Sequence, residues 1–410
     1  MKKPFSRKVS SGIGRGREVV VAVLAGIAFA GGALARDITL PADAAGNTVD
    51  AFIRPGVVYA PLSTPGDPNS VSLRGNTVTV RDGDIAGESA GSVTSVVGGV
   101  DKDLAGTGEV SGNAVNVVGG THGRKGKVYL YGGISRGNGS VVSNTVTVTD
   151  GSVNGTVFGG YSPRGSASHN KVGIVRATIS GAVYGGVGEG GDADDNTITV
   201  TGGSIGGMFY GGGYSPRGNA NGNTITVTDA AIGRVVFGGY APRGSANNNA
   251  LSLKNATVSD AVIIGGGSAI SATGNTVTLS GQVRFTNETG ILGGTGGGTV
   301  SGNTLTLDGF RQAGEGAVKG IRGFDKLTFA GIKAGQSVPV LTATGTVDLA
   351  GSRTTLRFDG EPGNVRLINA PKFIMSSATI DDVLYDESRY RFSWDATGSA
   401  VLSGTSPVNR

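Results

Sequence analysis

Between Asn144 and Gly239 apolar and hydroxyl side chains alternate in short bursts. Val146 and Val148, Ile198 and Val200, and Ile225 and Val227 alternate with Thr, and Leu251 and Leu253 are separated by Ser252. A period of two places the aliphatics on one face of a strand and the hydroxyls on the other. Most of these residues are β-branched, and the breaks between bursts are Gly, Asn, Asp and Ser, which favour turns. Outside the N-terminus no stretch carries a helical period.

The bursts recur on a fixed schedule. An Asn opens each at Asn144, Asn170, Asn196, Asn223, Asn249 and Asn275, at intervals of 26, 26, 27, 26 and 26 residues. A Gly-Gly pair begins fifteen residues after the Asn, at Gly159, Gly185, Gly211 and Gly238. Such a period predicts stacking. The expected fold is all-β: a right-handed parallel β-helix, a solenoid of ~26-residue rungs with a β-rich C-terminal cap. One rung cannot bury its apolar face alone, but a neighbour about 4.8 Å away can pair with it edge to edge. Stacking would set Tyr131, Phe158, Tyr184, Tyr210 and Phe237 in one column, continued by Ile264 and Leu292. The leading Asn residues would form a second column of hydrogen-bonded amides. A β-propeller fits less well because its blades need ~40 residues or more.

The ends depart from the pattern. Lys2, Lys3, Arg7, Lys8, Arg15 and Arg17 precede an apolar run from Val19 to Ala30 and the small-x-small triplet Ala33-Leu34-Ala35, which predicts a cleaved signal peptide over 1–35. The run is shorter than the ~20 apolar residues of a membrane span. Residues 36–75, with Pro41, Pro55, Pro61, Pro65 and Pro68, are expected to cap the first rung's open edge. The repeat region is placed at 76–310, its early rungs enlarged by insertions such as Asp101–Glu109 and Thr121–Lys127. Residues 311–410 form the expected C-terminal cap: only 12 of the 76 Gly lie there, and Tyr390, Phe392 and Trp394 alternate with Arg389 and Arg391.

Composition removes several classes of function. Glycine does not fall at every third position, which excludes collagen, and the absence of Cys excludes disulfides and thiolate sites. Six of the 35 basic and one of the 30 acidic residues lie in 1–35, so the mature chain carries 29 of each. The basic character therefore belongs to the leader, and nucleic acid is not an expected partner.

Candidate chemistry is sparse. Gly87-Glu88-Ser89-Ala90-Gly91 matches a nucleophile elbow, but no helical pattern follows it and only His122 and His169 could act as base. Both histidines are expected in solvated turns. Asp192, Asp194 and Asp195 form one acidic turn, whereas a calcium-binding coil needs such turns in successive copies. No catalytic residue, metal ligand or cofactor is assigned. The strongest surface candidate is Tyr-Ser/Ala-Pro-Arg-Gly, which occurs three times just after Gly-Gly. It would align Tyr161, Tyr214 and Tyr240 with Arg164, Arg217 and Arg243 along one ridge, with Glu189 nearby. Such a ridge suits glycans or anionic polymers.

The repeats, the segment Gly323-Phe324-Asp325-Lys326-Leu327-Thr328-Phe329 and the ending Trp394–Arg410 resemble the passenger region of bacterial autotransporters. That resemblance implies export across the inner membrane and display on, or release from, the outer surface, often with an adhesive role. Host-cell or matrix glycans or proteins are the implied partners. The family's C-terminal translocator barrel of ~10-residue strands is not seen here, so a separate outer-membrane translocator, or retention in the periplasm, is the corresponding expectation. The alternative is a β-helical hydrolase or lyase acting on polysaccharide.

Overall fold

In the computed structural model the alternating bursts form one side of a parallel β-solenoid. The structure describes residues 73–81 and 93–404, apart from 102–103, 125, 208, 287–288, 315 and 386–388, together with the short strands Val20–Ala22, Thr48–Ala51 and Val58–Tyr59. Each central rung has three sides. The first, a hydroxyl side, runs through Thr145–Thr149, the first half of Lys171–Ile179, and Thr224–Thr228. The second, an aromatic side, includes Lys127–Ser135, Gly155–Ser162 and Val183–Gly188. The third is narrow, with two-residue strands such as Val141–Val142 and Ala167–Ser168.

The pairing is parallel and in register. Val146 lies on Val172, Val172 on Ile198, Ile198 on Ile225, and Ile225 on Leu251. All five are buried, and each adds roughly 1.5–3 kcal/mol of burial relative to exposure. The narrow side buries small side chains: Ala167, Ala193, Ala220, Ala246 and Ala272 occupy successive rungs, after Val110 and Val141 on the two rungs before them.

The Asn column lies inside, at the corner between the narrow and hydroxyl sides. Asn76, Asn113, Asn144, Asn170, Asn196, Asn223, Asn249, Asn275 and Asn303 are all buried. From Asn113 to Asn303 each Oδ1 accepts from the backbone N–H and the side-chain amide of the Asn one rung earlier; Asn196 Oδ1, for example, accepts from Asn170 N at 3.0 Å and Asn170 Nδ2 at 3.2 Å. The remaining amide hydrogen can go to a backbone carbonyl, as from Asn196 Nδ2 to Ala167 O at 3.0 Å. Asp325 takes the ladder position after Asn303, and its Oδ2 accepts from Asn303 N at 3.3 Å.

Two further regularities explain the residues around this column. The residue before each ladder Asn has positive φ: Gly75, Gly112, Ser143, His169, Asp195, Gly222, Asn248, Gly274 and Gly302. The Gly-Gly pairs pack directly against the amides. A Cβ on Gly159 would sit 2.3 Å from Gly185 O, and one on Gly160 2.6 Å from Asn170 Nδ2.

The stack is longer than the expected repeat region. Thr48–Ala51 pairs in register with Thr77–Val80, within the segment expected to lack the repeat. At the other end Lys326–Ile332, Arg353–Phe358 and Thr379–Leu384 continue the hydroxyl side beyond residue 310. Their apolar alternation survives although the Asn and Gly-Gly marks are lost, which is why composition alone suggested a boundary. The end is closed by an antiparallel sheet of Val365–Arg366, Ser399–Leu402 and Phe392–Trp394. Phe392 stacks on Phe358 at 5.5 Å, and Trp394 meets Phe329 edge-on at 6.2 Å. The expected export signal falls outside the described residues except for Val20–Ala22, which pairs with Thr48–Asp50. Among the described residues no helix is long and apolar enough to cross a membrane.

Candidate functional site

The Gly-Gly corner decides what the aromatic side shows to solvent. Strict alternation would put Phe158 and Tyr161, three residues apart, on opposite faces. Gly159 and Gly160 are both buried, and Phe158 and Tyr161 both lie outward and half-buried. Two outward columns result. One holds Tyr131, Phe158, Tyr184 and Phe237, and the strand register carries it through position 210 and on to the buried Ile264 and Leu292, as the period predicts. The other runs Ile134, Tyr161, Val187, Tyr214, Tyr240. The ridge tyrosines therefore do share a column, interrupted once by Val187.

Within the first column the rings lie plane on plane. Tyr131 and Phe158 are 4.7 Å apart at 4°, and Phe158 and Tyr184 are 5.0 Å apart at 2°. In the second column Tyr214 and Tyr240 stack at 5.8 Å and 8°. The columns touch through Phe158–Tyr161 at 5.7 Å and Phe237–Tyr240 at 4.6 Å. Burial drives the Tyr131 hydroxyl far above the usual phenol range and also raises Tyr214. Tyr161 is pushed up to about 12, first by burial and then by its hydrogen bond to Glu189. All three stay protonated at neutral pH and can donate.

The turn after each tyrosine holds the arginine outward. Ser162 Oγ donates to Gly139 O at 3.0 Å and accepts from Gly165 N at 2.9 Å, closing a loop around Pro163 and Arg164. Ser215 does the same with Gly191 O and Gly218 N, both at 2.8 Å. In the third copy Ala241 lacks the hydroxyl, and Gly244 N bonds its carbonyl at 3.2 Å. Arg164, Arg217 and Arg243 are all exposed. Glu189, expected near the ridge, accepts from Tyr161 Oη at 2.9 Å.

At the N-terminal end of this strip the chain makes a pocket of about 420 Å³, floored by Tyr131, Ile134 and Tyr161. Leu104, from the Asp101–Glu109 insertion, lines it together with Arg136 and Arg164. Arg164 Nη1 donates to Leu104 O at 2.8 Å, which ties the insertion to the strip. Neither the pocket nor Arg136 was marked by the repeat, because the insertion belongs to one rung only.

The remaining candidates are dispersed. His122 is not in a solvated turn: it is buried in the strand Thr121–His122, with Nε2 2.9 Å from Gly119 O. The insertion reading failed there because Thr121 and His122 pair with Ser152 and Val153. His169 is exposed, at a positive-φ position that tolerates His, with Asp195 Oδ2 at 3.6 Å. Asp192 and Asp194 each accept a backbone N–H, from Asn219 at 2.7 Å and Asn221 at 2.6 Å. Among the described residues no three His, Asp or Glu side chains gather as a metal site would require. Gly87–Gly91 lies outside the described residues. No known family, curated protein or solved structure matches the chain.

Proposed function

We propose that the protein is an exported passenger, displayed at or released from the cell surface, that works as a rigid adhesive rod. The observation that carries this reading is the double aromatic column bordered by exposed arginines at repeated positions on one side of the solenoid. Stacked rings have already used their faces on one another. They offer solvent their edges, where the ring quadrupole is positive, and their hydroxyls. Arg164, Arg217 and Arg243 add guanidinium forks suited to carboxylate or sulfate. The strip therefore favours an extended anionic polymer, such as an acidic glycan of a host cell or matrix, over a neutral sugar that needs an open ring face.

Replacing Arg164, Arg217 and Arg243 together by Ala should weaken binding to an immobilised acidic polysaccharide, such as heparin, by roughly tenfold or more, from exposed pairs of up to about 1 kcal/mol each. The wild-type affinity should fall with added salt. Unchanged binding by the triple variant would reduce the strip to scaffolding. Export is tested separately, by whether protease added to intact cells removes the protein and whether a translocating outer-membrane partner is required.

A further inference from the structure

We infer that the pocket at the N-terminal end of the strip binds the acidic terminal sugar of a glycan chain, with Arg136 and Arg164 gripping its carboxylate or sulfate. This rests on the reading of the strip as the binding face, but the pocket differs from the rest of the strip in three ways. It is concave, and at about 420 Å³ it falls within the ~300–1,000 Å³ range of small-ligand sites. Pro163 and Ile134 supply apolar surface for the carbon face of a sugar ring. It also has a wall. Leu104 lines the pocket together with Tyr131 and is held by Arg164, so a chain lying along the strip would end against it.

Charge supports the same ligand. Among the described residues no carboxylate pairs with Arg136 or Arg164. After its bond to Leu104 O, Arg164 keeps other N–H donors for an anion. Of the carboxylates close by, Glu189 is engaged by Tyr161 Oη, and Asp101, whose carbonyl accepts from Arg136 N at 2.9 Å, is buried. Leu104 is 59% exposed, and a ligand seated against it would cover apolar surface that the chain itself leaves in water.

The experiment is calorimetric titration of the full chain with four probes: a short oligosaccharide ending in glucuronate, one ending in a sulfated sugar, their neutral counterpart, and inorganic sulfate. One or both acidic oligosaccharides should bind. Arg136→Ala and Arg164→Ala should each weaken that binding about tenfold, whereas Lys254→Ala, an exposed cation on the hydroxyl side, should leave it unchanged. The neutral sugar should bind at least tenfold more weakly. Equal binding of the neutral sugar, indifference to Arg136→Ala, or inorganic sulfate binding as tightly as the sugars would each overturn the inference. If polymer binding depends on Arg217 and Arg243 while no short acidic sugar binds, the pocket is refuted and the strip survives. If neither polymer nor sugar binds, both readings fall. Circular dichroism of Arg136→Ala checks that the fold is retained.

Discussion

A single asparagine in this molecule answers to four partners. Asn196 Oδ1 satisfies two donors of Asn170, while its own amide reaches Ala167 O and Asn223 Oδ1. Removing that side chain strands buried groups on both neighbouring rungs, at about 1–3 kcal/mol for each one left unmet. Asn196→Ala should therefore lower stability in urea unfolding by about 2–5 kcal/mol. Thr199→Ala, on the exposed side of the same rung, should stay within about 0.5 kcal/mol. Tyr161 offers a second test. Its folded pKa is raised above the ordinary value of 10.0 to about 12, so its contribution to stability is complete below pH 10 and is lost as pH rises through about 12. An absorbance titration of phenolate should lose one late-ionising group in Tyr161→Phe; loss of an early-ionising group instead would mean that Tyr161 ionises with the exposed tyrosines.

At the scale of the strand and its corner, glycine has two distinct roles. Gly159→Ala drives a methyl into Gly185 O, whereas a Cβ on Gly173 would meet only Thr147, at 3.8 Å. Gly159→Ala should cost about 1–3 kcal/mol by thermal or urea denaturation, and Gly173→Ala should be neutral or slightly stabilising. The contrast also shows what could be read from the chain. Columns were legible, because a constant interval leaves equivalent residues nowhere to go but above one another. The facing of Tyr161 was not, because a corner resets the count of two and only contact with Asn170 reveals that Gly159 and Gly160 form one. Ridge arginines were legible through their repeated Tyr-x-Pro-Arg-Gly turn. Arg136 and the Leu104 wall were not, since they occur once, and neither was the burial of His122, which depends on pairing with residues thirty-one positions on.

Across the whole molecule each rung contacts mainly its neighbours, so cooperativity is set rung by rung. The only Trp, Trp394, sits in the antiparallel closing sheet against Phe329. Its fluorescence reports the closed end, while far-ultraviolet circular dichroism reports the entire stack. In Asn196→Ala the dichroism midpoint should fall further than the Trp394 midpoint, and the two curves should separate. Coincident curves would show that the solenoid unfolds as one block.

The amide column has a further consequence. From Asn113 to Asn303 its eight carbonyl oxygens face the N-terminal end, each accepting from the rung before, and from Asn76 to Asn275 one amide hydrogen of each Asn faces the opposite way, so their small dipoles add instead of cancelling. The result is a side-chain counterpart of the helix macrodipole, positive toward residue 303. Asp325, which occupies the next position in the column and meets Asn303 N at 3.3 Å, sets a carboxylate against that positive pole, much as an acidic residue caps the first turn of a helix.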